Sequence, residues 1–456
     1  MMKLYDEKEK EMSNLIEQAL RNATDTRACV IEDGAIKNIV QIFRECFPNA
    51  ARAILIADPR TWNAAGEMVA QVLEANGIGF SKHIVEEGGK IFHAEYCYVE
   101  EVRSAIKDTL STNEGIVPIA IGSGVINDVT KLASGDLHLP YMVVATAASV
   151  DGYSSFGASI TSPEGAKQTY SCPAPRAIIA DLTVIKNAPR EMTAWGYGDL
   201  LSKIPAGADW ILASELGVGE WHDRAWHTVQ DGLAEALGNP EGVRDGDSKA
   251  FGKFVEGLML GGFAMQDMQS SRPASGAEHM FSHILDMNHH TYKGELVSHG
   301  AQVGVATYFM SKFYEKILSF DYTKLDVEAC VKAWPEWEEE EKLCRDIFKS
   351  TLFPELGVEQ TKPKFHTKEA LREHLTLAKN IWPELKEKLK KQLLPSEEIK
   401  RRLEIVGGAV FPEDIGTTAR EMADNTMTAV HMRNRYNALD FTYRTQQMKA
   451  FAQSIY

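Results

Sequence analysis

Residues 116–133 run IVPIAIGSGVINDVTKLA. The first six, Ile116 to Ile121, are apolar and rich in β-branched side chains, which predicts a short buried strand. Gly122-Ser123-Gly124 breaks the run, and Val125, Val129, Leu132 and Ala133 then share one face of a helix. Strand, glycine turn and helix together point free backbone N–H groups at an anion, and small residues let a phosphate approach them. Asn127 stands where a G-x-G-x-x-G fingerprint has its third glycine, and the Walker pattern is absent. On these residues alone, an ordinary β–α turn is an equal reading.

Working outward, the same alternation repeats. ARAILIADPRT (51–61) is a strand ending at Asp58, and Trp62–Asn76 is the helix after it. FSKHIVEEG (80–88) is a second strand, residues 98–110 a helix, and LPYMVVATAASV (139–150) a buried strand introduced by Pro140. YSSFGASITSPEGAKQTYSCPAPRAIIADLTVI (153–185) reads as a β-hairpin around Pro-Glu-Gly, followed by a strand to Asp181. GAIKNIVQIFRECF (34–47) is helical by the spacing of Ile36, Ile39, Ile42 and Phe43, and residues 1–25 form an amphipathic arm. Strands separated by helices of this length mean a doubly wound parallel sheet. After NAPREM (187–192) strands give way to helical periodicity. The expected fold class is therefore α/β, with an N-terminal Rossmann-like domain over residues 1–188 and an all-α domain over 189–456. The charge runs in WPEWEEEEKLCRDIF (334–348) and WPELKEKLKKQLL (382–394) read as solvated helix faces.

The totals narrow the function. A chain of 456 residues exceeds one typical core, so two domains are expected. Its 49 basic and 64 acidic residues give a net charge of −15, which argues against nucleic-acid partners and anionic membrane surfaces. No apolar run is long enough to insert in a membrane, and the N-terminus lacks a signal-peptide core, so a cytoplasmic protein is expected. Six cysteines are scattered without a CxxC pair, a pattern that suits reduced thiols better than disulfides or a thiolate metal site.

Several polar residues stand where chemistry is done. Asp58 closes a strand, where a carboxylate either accepts a ribose diol or caps a helix. Past the strand that ends near Ala145, the run ATAASVDGYSS brings together Thr146, Ser149, Asp151, Ser154 and Ser155. Ligands of open α/β sheets bind outside the carboxyl ends of the strands, so this run is a candidate site. His279 and His283, four residues apart, share a helix face, and His299 opens the next apolar helix. Imidazoles with one carboxylate suit zinc, iron or nickel, although a buried histidine is as often a core residue. Asp199 after Gly198 is a further carboxylate, otherwise a helix N-cap, while His289-His290 lies in a polar loop and reads as surface.

Taken in order, IGSGVINDVTKLA, TAASVDGYSS, GYGDLLSK, SGAEHMFSH and SHGAQVGVAT resemble the iron-containing alcohol dehydrogenase and glycerol dehydrogenase superfamily, which includes dehydroquinate synthase-like folds. Within it they are most similar to bacterial glycerol-1-phosphate dehydrogenases. The resemblance covers residues 53–306 and returns at VHMRNRYNALDF (430–441), while residues 320–420 match poorly. It implies an all-α second domain that binds metal and substrate, and NAD(H) or NADP(H) as cofactor. Asp58 would contact the adenosine ribose. Gly124, Val125, Ile126, Asn127 and Asp128 would cradle the pyrophosphate, with Thr146, Ala147, Ala148, Ser149 and Ser155 completing the dinucleotide site.

It further implies one divalent metal (zinc, nickel or iron) on Asp199, His279 and His299. Asp151, Asp199 and His283 would meet the substrate, with Asp199 and His283 as the catalytic pair. The implied reaction is reduction of dihydroxyacetone phosphate to sn-glycerol 1-phosphate by a homodimer or larger homo-oligomer. Lys167, Arg176 and Lys203 are candidate phosphate cations. The competing readings are a glycerol or other polyol dehydrogenase, a sugar-phosphate cyclase, and a non-catalytic binding protein on the same scaffold.

Overall fold

The computed structural model describes residues 15–86, 93–112 and 115–455. The expected N-terminal arm is helical over residues 15–22, and its residues 1–14 lie outside the described residues, as do residues 87 and 88 of the second expected strand. The described chain forms two compact units. The first comprises residues up to Leu200 together with Arg224–Ser271, and the second comprises Leu201–Asp223 and Arg272–Tyr456.

The first unit is built on six parallel strands: β1 (Ala28–Glu32), β2 (Arg52–Ala57), β3 (Gly79–Ile84), β4 (Ile116–Gly122), β5 (Met142–Ala145) and β8 (Ala177–Asp181). Their order across the sheet is β1-β8-β5-β4-β2-β3. Two antiparallel strands, β6 (Ala158–Thr161) and β7 (Lys167–Tyr170), form the hairpin expected around Pro-Glu-Gly. β1 was not apparent in the sequence, because ACVIE is only five residues long and partly exposed along the sheet edge.

Burial on both faces explains why the central strands are continuously apolar. Leu55, Ile119, Val144 and Ile179 face a core shared with Ile39, Phe43, Val69 and Leu73 of the helices Ile39–Cys46 and Glu67–Ala75. Alternation sends the equally buried Ile54, Ile56, Ala120, Val143 and Ile178 to the other face. From β2 the chain moves one way to β3 and then back past β2 to β4. The strand order therefore reverses between β2 and β4, and the open crevice of such a sheet lies there, at the strand carboxyl ends.

The second unit is helical. Its core joins Phe281, Phe309, Phe313, Tyr322, Trp382 and Phe441, contributed by the helices Ala277–Met287, His299–Ser319, Lys368–Gln392 and Ala438–Arg444 and by a 3-10 turn. A pair of two-residue strands, Thr291–Tyr292 and Glu295–Leu296, is the exception to the all-helical expectation. Of the acidic run in the helix Trp337–Phe348, Glu338 and Glu339 are exposed as expected, but Glu340 is buried. Among the described residues, no helix is long and apolar enough to cross a membrane.

Candidate active site

Three segments of the first unit leave the carboxyl ends of neighbouring strands. After β2, Asp58 caps the following helix in a capping box: its Oδ1 accepts the N–H groups of Arg60 (2.8 Å) and Thr61 (3.0 Å). The structure thus bears out the capping reading of Asp58, at the carboxyl end of β2. After β4, the helix Gly124–Asp136 begins with no side-chain cap from Ser123. Its first intrahelical bond runs from the Asn127 N–H to the Ser123 carbonyl (3.0 Å), so the N–H groups of Gly124, Val125 and Ile126 form an uncapped first turn. The side chains of Asn127 and Asp128 face elsewhere than a phosphate cradle. The Asn127 Oδ1 accepts the buried Tyr141 hydroxyl (3.0 Å), and the Asp128 Oδ2 accepts the Ser159 N–H (3.1 Å).

After β5 comes the loop from Thr146 to Gly157, in which Thr146, Ser149 and Ser155 are buried and Asp151 is half-buried. Its shape depends on Lys131, which the local sequence pattern did not single out. The fully buried Lys131 Nζ donates to the carbonyls of Gly152 (3.0 Å), Ser155 (3.1 Å) and Gly157 (3.0 Å), with Asp128 at 3.5 Å. The helix Ser248–Met268 closes the other side. A Cβ on Gly262 would stand 2.1 Å from the Ser154 Oγ and 2.7 Å from the Asp151 carbonyl oxygen, so only glycine allows the loop to seat. Ser154 is spent on this packing, donating to the Met259 carbonyl (2.7 Å), and the Ser155 hydroxyl donates within the loop to Gly152 (3.0 Å).

Asp199 lies in the last turn of the helix Arg190–Leu201, not at a helix start, and is fully buried. The negative end of a helix dipole disfavours a carboxylate, so this position calls for a positive charge beside it. The Asp199 Oδ2 accepts the Asp151 N–H at 3.0 Å.

The histidines come from two helices packed side by side, Ala277–Met287 and His299–Ser319. The His279 Nδ1 is 2.8 Å from the Glu278 Oε1, and the His299 Nδ1 is 2.9 Å from the Ser282 Oγ. The Ser282 hydroxyl donates to the Gln302 Oε1 (2.6 Å), so it accepts from His299. With both Nδ1 atoms engaged by oxygen partners, Nε2 is the nitrogen each ring has left for a ligand, the arrangement that orients metal-bound imidazoles. The rings of His279 and His299 stand 5.2 Å apart, centroid to centroid. Two imidazoles so oriented, joined by a carboxylate, are a donor chemistry that fits a divalent transition metal. His283 stands outside the set, with its ring centroid 6.5 Å from that of His279.

The polar shell is buried. Burial pushes the Glu278 carboxyl up to about 7, opposed by the Gly276 N–H, Lys203 and Arg435. Asp209 is also pushed up to about 7, by burial first and then by the charge of Glu278, against three donors: Tyr314 Oη (2.6 Å), Ala277 N (2.7 Å) and Ala438 N (2.8 Å). Glu278, Ser282 and Gln302 carry no motif of their own; Glu278 is next to His279 in the chain, and Ser282 and Gln302 each stand one turn past a histidine. Among the candidate cations, Lys203 is buried near Glu278 and Lys167 lies on the exposed hairpin strand. Arg176 precedes β8 and therefore lies at the amino end of the sheet, opposite the crevice, which removes it as a phosphate ligand there. His289 is exposed as expected, and the His290 Nε2 bonds the Ile415 carbonyl (2.6 Å).

Residues 30–189 match the family model described as iron-containing alcohol dehydrogenase. The fold is that of a solved glycerol dehydrogenase from Schizosaccharomyces pombe, with TM-score 0.57 and 18% identity, covering 95% of this chain and 91% of that one. A Bacillus velezensis protein named glycerol-1-phosphate dehydrogenase (NAD(P)+) is 34% identical over 58% of this chain. The match spans 66% of that relative, just under two thirds of its length. A protein of the same name from Pyrococcus furiosus is 33% identical over 78% of this chain and 90% of its own length. The chain belongs to the glycerol-1-phosphate dehydrogenase family of oxidoreductases.

Proposed function

We propose that this chain catalyses the reversible NAD(P)H-dependent reduction of dihydroxyacetone phosphate to sn-glycerol 1-phosphate, with one divalent metal ion held by Asp199, His279 and His299. The observation that carries the reading is the pair of imidazoles whose Nδ1 atoms are fixed by Glu278 and Ser282, with their rings 5.2 Å apart. A bound metal supplies Lewis-acid polarisation of a carbonyl oxygen, and a nicotinamide supplies the hydride. The residues of the chain do the rest. The uncapped turn at Gly124–Ile126 receives a pyrophosphate, and the Lys131-clamped loop from Thr146 to Ser155 lines the dinucleotide. The carboxylate of Asp58 accepts a ribose diol and repels a 2′-phosphate, which favours NAD over NADP, with Arg60 two residues on as the opposing charge. His283, outside the ligand set on the same helix face as His279, is the proton donor to the reduced oxygen, and Asp151 orients the substrate. Lys203 is the favoured phosphate cation of the three candidates. The reading includes a homo-oligomer working in the cytoplasm, to be tested by sedimentation and fractionation.

The deciding experiment is NADH oxidation by metal-reconstituted protein, with dihydroxyacetone phosphate and free dihydroxyacetone side by side. Turnover of the phosphorylated ketone alone, abolished by a chelator, supports the reading. Preference for the free ketone moves the chain to polyol reduction, and activity on neither with a sugar phosphate consumed moves it to cyclase chemistry. His283→Ala should lower turnover while metal content is kept; loss of the metal would make His283 a ligand and sink its assignment as the donor.

A further inference from the structure

We propose that Glu340, Cys344 and His431 form a second metal site in the helical unit, a buried thiolate site for zinc or another borderline-soft divalent ion. Glu340 and Cys344 are four residues apart on the helix Trp337–Phe348 and so share a face. His431 follows the short helix Thr426–Val430 and reaches the same point from a segment almost ninety residues away. All three side chains are buried, at 1%, 0% and 0% exposure in chain order, and one ligand atom of each lies within 4.8 Å of the others.

The imidazole is oriented as a ligand. Its Nδ1 is 2.9 Å from the Thr361 Oγ1, which fixes the ring, while its buried Nε2 has no hydrogen-bond partner. That atom faces the Glu340 Oε1 at 3.6 Å. The other carboxylate oxygen, Oε2, accepts the Tyr443 hydroxyl (2.9 Å), which turns Oε1 toward the histidine. The Cys344 Sγ lies 3.6 Å from the His431 Nδ1. Ligand atoms on a tetrahedral zinc with bonds of about 2.0–2.3 Å stand roughly 3.4–3.7 Å apart. The Nε2–Oε1 separation of 3.6 Å already matches, whereas the Cys344 Sγ lies beside Nδ1 and has to turn toward Nε2 to complete the set. A buried, unsatisfied ring nitrogen is costly in a polar cluster that exists only for packing, and an ion between Nε2, Oε1 and Sγ removes that cost.

Charge and space agree. Binding releases the Cys344 proton to solvent, so thiolate and carboxylate together balance a divalent ion. Lys364, also beside the cluster, is already paired with Asp440 at 2.8 Å. Next to the cluster is a cavity of about 10 Å³ for water centres, lined by Trp334, Glu340, Thr361, Lys364, Tyr443 and Arg444. It has room for about one water on the Glu340 side of the cluster.

Cobalt(II) reports on the site without relying on activity, because a thiolate ligand gives a near-ultraviolet charge-transfer band. The cluster of Asp199, His279 and His299 contains no sulfur. The full chain reconstituted with cobalt should show the band, Cys344→Ser should lose it, and His299→Ala should keep it. Zinc content should fall by one equivalent per chain in Cys344→Ser and in His431→Gln relative to the unaltered protein. A cobalt-loaded unaltered chain without a thiolate band overturns the proposal, and that arm needs no variant to fold. A band that persists in Cys344→Ser, or an unchanged zinc count, overturns it equally.

Discussion

The helical unit holds two histidine clusters, and they differ in what surrounds the ring. His279 and His299 sit on two packed helices, each with its Nδ1 engaged by a nearby oxygen (Glu278, Ser282), and the donor set around them is oxygen and nitrogen only. His431 is fixed by Thr361 and faces a carboxylate and a thiol drawn from residues 340–344. The first arrangement leaves coordination open to a substrate. The second adds a buried thiol, with room for about one water beside it. A donor set with a soft thiolate suits structure, and a harder set of nitrogen and oxygen suits catalysis.

Four measurements break or sharpen that contrast. The largest effect is expected for His279→Ala or His299→Ala, which should lower kcat/KM by about a thousandfold or more, as loss of a Lewis acid does. Equal turnover in these variants would remove the catalytic half of the comparison. Next, Glu278→Gln weakens the partner that orients His279 and should reduce metal affinity at that cluster by about 10–100-fold. Thr361→Val should do the same at His431 with turnover unchanged, read by competition with a chelator. Third, Gly262→Ala forces the loop at Asp151–Ser155 away from its helix. An overpacking cost of about 1–3 kcal/mol and a raised KM for the nucleotide are expected, with zinc content at both clusters intact. A normal KM would show that the loop does not line the cofactor.

The smallest effect is a surface control. Hydrogen bonds from Arg401, and then from Arg402, hold the Glu398 carboxyl down at about 2. A carboxylate depressed on folding stabilises above its unfolded pKa and loses that contribution as the pH falls toward its folded one. Glu398→Gln should therefore cost about 0.5–1 kcal/mol at pH 7, after allowance for solvent screening, and progressively less between pH 4.5 and pH 2. Denaturant melts at pH 7 and pH 3 compare the two, and a cost that grows on acidification would reverse the assignment.

What could be read locally followed from contiguity. Ile116–Ile121 and the run ending at Ala145 are continuous apolar segments because both faces of a parallel sheet are buried, and the turn at Gly122–Gly124 follows directly in the chain. His279, His283 and His299 were visible because helical spacing and short separation put them together. Lys131 was not, since its three acceptors are backbone carbonyls of a loop more than twenty residues away, and carbonyls leave no trace in a sequence. Asp199 was visible as a carboxylate but misplaced along its helix, because Gly196 and Gly198 resemble a helix start and here lie inside one.

The sequence by itself determined the alternating strands and helices, the class of fold and the residues of the histidine helices, because each is written in periodicities of two and 3.6 along one stretch of chain. Tertiary structure alone decided which imidazole nitrogen can ligate, that residues 224–271 return to the first unit, and that Glu340 leaves an acidic run to meet Cys344 and His431. Those facts depend on which distant segments share a buried, poorly solvated space. Burial turns an ordinary glutamate, cysteine or histidine into a constrained ligand, and no local pattern records it.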